Sequence, residues 1–337
     1  MSRFMRELKD RVAKGQKKIV LPETASVRVL QSAERVKAEG FAQPLLIGKP
    51  SDIIERASRY QIDLEEVEVV NPGTHPMVEK FIKYYVRRLG SKKMSYDRAR
   101  DILLSNPVYF GACLVAFDLA DGMVAGAKTS SAEVLRAALQ IIGPRKNART
   151  ISSSFIIVTD MMQFGNDGVF VAGDGDVVPV PTAEQLADIA CNCVERAKNT
   201  LHIEQPKVAL LSYSTMGSAM GEAADRVRQA VQILSDREVG FLFDGEMEAD
   251  VALIPHYARQ CAPRSPVAGQ ADVLIFPDLS TGNICCKMLE QIAGASILGP
   301  LLQGLTKPVM DLSRVSTVDT ITDIIAVCCS DAMENSG

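Results

Sequence analysis

Residues 307–321 read KPVMDLSRVSTVDTI, with Ser313 and Arg314 side by side, Asp311 closing the apolar run before them and STVDT following. A surface loop has no evident need for so many hydroxyls and charges. Ser316 or Thr317 can N-cap a helix VDTITDIIAVCC, with Asp319 in its first turn. Capping leaves Ser313 and Arg314 unexplained. A second cluster lies in AKTSSAEVLR, where Thr129, Ser130 and Ser131 open a helix and offer hydroxyls and free backbone N–H groups to an anion. The plainer role for Ser130 is an N-cap, completed as a Ser130–Glu133 capping box. Arg136 sits near the first turn of that helix, where a cation opposes the helix dipole, and this misplacement hints at an anionic partner. A third stretch, YSTMGSAMGE (213–222), resembles a phosphate cradle without matching G-x-x-x-x-G-K-[ST].

Other chemistries lack their residues. No G-x-G-x-x-G occurs, and GDGD (173–176) reads as a turn, so neither ATP nor NAD is indicated. No G-x-S-x-G elbow exists, and His75, His202 and His256 lack a clear triad partner. Three histidines and eight cysteines without a C-x-x-C pair make a metal site improbable.

The elements that position these clusters alternate. Strands are expected at 17–23, 42–49, 67–72 and 121–127, with helices at 26–40, from Ser51 as an N-cap, through HPMVEKFIKYYVRRLG and SYDRARDILLSN, and at 130–143. A second series begins near 150, with strands at 152–161, 168–174, 206–214, 241–246 and 272–278 and helices at 182–201 and 223–234. Alternation of this kind implies α/β layers, and two series imply two α/β domains with mainly parallel sheets and an active-site cleft between them. In such sheets ligands sit beyond the C-terminal ends of strands, where the polar clusters fall.

Length and composition fit that architecture. The chain has 337 residues, suggesting about two domains, with 47% hydrophobic and 23% charged residues. A net charge of -4 without a basic tract argues against a nucleic-acid partner. No apolar run reaches the length of a membrane span, and the charged N-terminal stretch has no signal-peptide core. Cysteines in apolar surroundings read as reduced thiols of a cytoplasmic protein.

Taken in order, KIVLPE, DGMVAGA with SSAEVLRAALQII, PVPTAEQLADIA, DGEMEADVALIP, VAGQADVLIFPDLSTGNICCKMLEQIAGA and GPLLQGLTKPVMDLSR resemble the phosphate acetyltransferases, over roughly residues 17 to 325. The related phosphate butyryltransferases and the C-terminal domain of some malic enzymes share the fold. The resemblance implies reversible acetyl transfer between acetyl phosphate and coenzyme A, with release or uptake of inorganic phosphate. It also implies no cofactor beyond coenzyme A as substrate, and a homodimer. In the family the C-terminal segment returns to the first domain, which implies one domain of 1–149 plus 299–337 carrying the Ser-Arg motif, and a second of 150–298 used for dimerisation.

Direct attack of the thiol in a ternary complex suffices for this reaction. By the resemblance, Ser313 and Arg314 stabilise the developing charge or orient the thiol, and Arg136 and Arg87 grip the phosphate. Ser130, Ser131 and Thr320 are placed at the substrates. Arg88 contends with Arg87, because YYVRRLGSKKMS is two residues longer than the family's pattern there. The family's Gly-Cys-Ser-x-x-Asp after Ser-Arg is here Val315-Ser316-Thr317-Val318-Asp319-Thr320, so Thr320 stands where the thiol's proposed base should be. Asp319 is the nearest carboxylate and is expected as the base. One residue along a helix is a rotation of about 100°. Butyryl or propionyl transfer, and a non-catalytic metabolite-sensing module, are the alternatives.

Overall fold

The computed structural model describes residues 2–334, which divide into two compact units, 2–146 with 305–334, and 147–304. The first unit holds α1 (Arg3–Val12), β1 (Lys18–Leu21), α2 (Val27–Glu39), β2 (Gln43–Ile47), α3 (Pro50–Arg59), β3 (Glu68–Val70), α4 (Val78–Leu89), α5 (Tyr96–Ser105), α6 (Pro107–Ala116), β4 (Gly122–Ala125) and α7 (Ser131–Ala137). The second holds β5 (Ser152–Val158), β6 (Val169–Gly173), α8 (Ala183–Asn199), β7 (Lys207–Leu211), α9 (Glu222–Asp236), β8 (Leu242–Met247), α10 (Ala249–Leu253), α11 (Pro255–Cys261), β9 (Val273–Ile275), α12 (Leu279–Ala293) and β10 (Ser296–Gln303). The chain then returns to the first unit with β11 (Val309–Asp311) and α13 (Val318–Glu334).

The first unit's strands run β3-β2-β1-β4-β11, each pair parallel. The alternation of side chains along a strand assigns the two faces. A Cβ on Gly111 of α6 would meet Val20 Cγ1 and Met123 Sδ, whereas a Cβ on Gly122, the neighbour of Met123, would meet Cys328 Sγ of α13. Helices α6 and α13 therefore cover opposite faces. The apolar PVYFGACLVA forms a helix because Asn106 caps it, its side chain accepting from Val108 N at 3.1 Å, and Pro107 supplies a preset first turn. Its residues Val108–Val115 are buried on every side. Beneath α13 the buried Lys9 ammonium bridges Glu39 and Asp323 at 2.9 and 3.0 Å.

In the second unit the order is β10-β5-β6-β9-β7-β8, with β10–β5 and β5–β6 antiparallel and the rest parallel. Its core gathers Phe155, Ile157, Phe170, Leu211, Met247 and Phe276. Thr182 and Gln185 form a full capping box at the start of α8.

Three local expectations are corrected. Lys49, not Ser51, occupies the N-cap of α3, because Pro50 already sits in the first turn, and no side chain caps it. Ser130 holds the N-cap position of α7 without a capping hydrogen bond. The Glu133 carboxylate accepts from Asn106 Nδ2 at 2.9 Å, so no capping box forms. The helix expected through 143 widens after Ala137 into a π-type segment, Ala138–Ile142, closed by Gly143 N donating to Ala138 O at 2.8 Å.

Gly126, just past β4, has φ +115°, and a Cβ there would lie 2.6 Å from both Leu312 N and Leu312 O and would strike Asp311 Oδ1. Only glycine lets the exit of β4 touch the exit of β11. Gly126→Ala is expected to cost about 3 kcal/mol, read in a thermal melt as a Tm lower by roughly 6–12 °C.

Candidate active site

The polar clusters of the first unit follow adjacent parallel strands, β4 and β11, and emerge together at the C-terminal edge of the sheet. The chain leaving β4 is held by one side chain. Glu23, at the end of β1 and 5% exposed, accepts from four successive backbone amides: Gly126 N and Ala127 N at 2.7 Å each, Lys128 N at 2.8 Å and Thr129 N at 2.7 Å. Consecutive amides converging in this way form an anion nest. The free N–H groups expected at Thr129 for a ligand are thus occupied by the protein's own carboxylate. What the loop offers outward is side chains: the Ser130 and Ser131 hydroxyls bond no other described residue.

The loop after β11 is built from Ser313 to Thr317. Ser316 N donates to Ser313 O at 2.9 Å, and Thr317 Oγ1 accepts from Thr320 N at 3.1 Å, which makes Thr317 the cap of α13. Its outer side is clamped from α2: Arg28 donates to Arg314 O at 2.8 Å and to Ser316 O. The clamp takes Arg314 by its carbonyl and leaves its exposed guanidinium without a partner among the described residues. Ser313 is half-buried beside it, its Oγ accepting a long 3.4 Å contact from Val315 N.

The remaining expected residues fall in different environments. Asp319 is 77% exposed and paired with Arg35 of α2, which also holds Glu39 at 2.8 Å. Thr320 Oγ1 lies 3.0 Å from Thr317 Oγ1. Arg136 lies near the Tyr109 hydroxyl, a buried phenol of α6 whose pKa burial raises and the Arg136 charge draws back down. The neighbouring Tyr85 hydroxyl donates to Gln140 Oε1 at 2.5 Å, and burial pushes it far above the usual phenol range. This aromatic shelf gives Arg136 a support that its position in the sequence did not announce.

The two candidates on α4 separate cleanly. Arg88 donates to Gln140 O at 2.8 Å and Ile142 O at 3.1 Å and packs on the Tyr84 ring. Tyr84 donates to Ile141 O at 2.7 Å and Thr306 to Ile142 O at 3.2 Å, so the Gln140, Ile141 and Ile142 carbonyls at the end of the π-type segment are taken by side chains. Gly143, at φ +85°, leaves the space that the Arg88 guanidinium fills. Arg87 is exposed and has no partner among the described residues. Sequence reasoning missed Glu23, Arg28, Arg35 and Tyr109. For Glu23 alone a signal existed, a carboxylate ending the strand KIVLPE.

Thiols offer little nucleophilic competition. Burial raises Cys113, Cys193 and Cys329 and pushes Cys286 up to about 12. Among the described residues no His, Cys, Asp and Glu side chains cluster as a metal site requires, and no helix is long and apolar enough to cross a membrane.

The model of the phosphate acetyl/butaryl transferase family matches residues 3–329. The chain is 40% identical over 339 residues to a phosphate acetyltransferase of Treponema pallidum, covering 99% of each chain. Among solved structures it matches a phosphotransacetylase from Streptococcus pyogenes with a TM-score of 0.90 and 34% identity, over 99% of this chain and 100% of that one. It matches the EutD phosphotransacetylase from Staphylococcus aureus with a TM-score of 0.85 and 32% identity, over 98% of each.

Adjacent arginines on α4 should behave oppositely in a melt. Arg88→Ala strips hydrogen bonds from two helix-end carbonyls and is expected to cost about 1–2 kcal/mol, a Tm loss of roughly 2–8 °C. Arg87→Ala should leave the Tm within about 1 °C, as surface changes do. Equal melts would show that Arg88 carries no structural load.

Proposed function

Because the chain belongs to the phosphate acetyl/butaryl transferase family, we propose that it moves an acetyl group reversibly between acetyl phosphate and coenzyme A, by direct attack of the thiol in a ternary complex. The observation that carries this reading is the pair of touching strand exits. One presents unused serine hydroxyls, and the other presents a serine beside an arginine whose guanidinium is free and whose carbonyl is clamped. The thiolate sulfur attacks the acetyl carbon, the carbonyl oxygen takes the charge, and collapse expels phosphate. Arg314 and Ser313 donate to that oxygen or to the leaving phosphate. Arg136 and Arg87 hold the phosphate, with Ser130 and Ser131 as further donors. A homodimer in the cytoplasm, with residues 150–298 providing the contacts, completes the proposal.

Deprotonation of the thiol divides two accounts. Asp319 as base would have to leave Arg35, and its carboxylate is exposed. Thr320 accepts or donates only as a hydroxyl. These features support the second account, in which the thiolate forms in solution and Arg314 stabilises it. Thr320 in place of the family's aspartate also favours one rival reading, a module that binds acyl-CoA without turning it over. Consumption of coenzyme A thiol in the presence of acetyl phosphate separates the two: a sensor leaves the thiol titre constant.

Arg314→Ala is expected to lower kcat by roughly 10²–10³-fold, while Arg136→Ala and Arg87→Ala mainly raise the KM for acetyl phosphate. Steady-state kinetics showing near-wild-type kcat for a folded Arg314→Ala protein would end its assignment. Asp319→Asn is expected to keep kcat within about threefold across the pH range, whereas loss of a general base would cost about 10²–10⁴-fold. A large loss, relieved by raising the pH, would restore Asp319 as the base.

A further inference from the structure

The outward side of α4 is a stripe of cations. Phe81, Ile82 and Tyr85 are its buried residues, so Lys80, Lys83 and Arg87, which recur at helical spacing on the opposite side, face outward. Lys92 and Lys93 extend the stripe in the turn after the helix, and all five residues are exposed. Elsewhere in the first unit Lys18, Arg59 and Lys307 meet carboxylates at 2.6, 3.1 and 2.8 Å. None of these five does so among the described residues. Glu79, the carboxylate beside Lys80, instead accepts from the Tyr96 hydroxyl at 2.5 Å. Residues 79–101 carry eight cations against three carboxylates, in a chain whose net charge is -4. Local structure does not favour this arrangement. Lys80 and Lys83 stand three apart and Lys83 and Arg87 four apart, the spacings at which like charges repel across a helix surface. Lys80 also sits in the first turn of α4, where a cation opposes the helix dipole. The Phe117 ring, 5.3 Å from its ammonium, supports it there.

Resting on the transferase reading above, we infer that this stripe is an electrostatic guide for acetyl phosphate, drawing the dianion along α4 toward Arg87 and Arg136. The helix runs the right way for it. At the C-terminal end of α4, Arg88, turned about 100° from Arg87, hydrogen-bonds Gln140 O and Ile142 O of the segment that continues the helix bearing Arg136. From Lys80 to Arg87 the stripe rises about 10 Å at 1.5 Å per residue, close to the Debye length at physiological ionic strength. The fields of neighbouring cations therefore overlap before salt screens them, and the stripe acts as one extended potential. Such a field raises the local concentration of an anionic substrate and its rate of encounter. Lys80, Lys83, Lys92 and Lys93 take no part in bond making, so their effect falls on KM and kcat/KM and spares kcat.

The test compares Lys83→Glu/Lys92→Glu with Lys14→Glu/Lys198→Glu, a control pair that changes the net charge equally at exposed lysines outside the stripe. In about 0.1 M salt, where the Debye length is about 10 Å, the stripe variant is expected to have a KM for acetyl phosphate roughly fivefold above the control's, with kcat within about twofold. In about 1 M salt, where the Debye length is about 3 Å, the two KM values should converge. Equal KM values at the lower salt would overturn the guide. So would a loss that persists undiminished at the higher salt, which marks direct contact with bound substrate. A wild-type protein without coenzyme A turnover would instead defeat the transferase reading. Calorimetric titration of acetyl phosphate into the wild type and both variants at the two salt concentrations then decides: weaker binding by the stripe variant at the lower salt alone supports the guide, and equal affinities or no binding overturn it.

Discussion

The Glu23 carboxylate fixes the geometry on which the first unit's chemistry depends. Four amides in succession converge on its two oxygens, all within 2.8 Å. A turn of that kind at the end of a parallel strand is where α/β proteins commonly bind a ligand's anion. Here the chain supplies the anion itself. The loop from Gly126 to Thr129 is consequently set without any ligand, and Ser130 and Ser131 project from a fixed base. With the backbone donors taken, the loop is left with side-chain hydroxyls to offer a ligand.

The arginines divide according to where their donors go. Arg88 closes the end of the π-type segment, Arg28 clamps the carbonyls of Arg314 and Ser316, and Arg35 holds Asp319. Each gives up its donors to shape a loop or helix end. Among the described residues Arg87 and Arg314 keep theirs, and Arg136 lies near a buried phenol. A free guanidinium on an unsupported loop would be a poor catalyst, because positioning to within a fraction of an ångström decides the rate. In the proposed transfer, the clamp on the Arg314 carbonyl answers that requirement from the rear, leaving the front of the residue open.

Much of this was legible in the chain. Alternating strand and helix periods marked most elements, though not β10, β11 or the all-apolar α6, because a two-residue and a 3.6-residue repeat leave distinct apolar patterns. Ser313 and Arg314 stood out because capping could not explain the pair; Arg136 stood out as a cation expected near the start of a helix, but α7 ends at Ala137 and places it in the last turn, where a cation suits the dipole. The family resemblance rested on ordered motifs, and the match over residues 3–329 agrees with it.

What the sequence could not decide were contacts between residues far apart in the chain. Arg87 and Arg88 are chemically identical neighbours. Only the folding of residues 138–143 against α4 shows that one of them is consumed by carbonyls. Glu133 fits a capping box by spacing, yet Asn106, 27 residues earlier, takes its carboxylate. Asp319 looks available as a base until α2 brings Arg35 to it. Glu23 looks like the end of a strand until β4, about a hundred residues later, turns its amides inward. Local pattern determined which elements form and which residues are chemically conspicuous. Tertiary structure alone decided which of those side chains are already engaged, because a donor or acceptor is spent on partners that only the fold brings within hydrogen-bond reach.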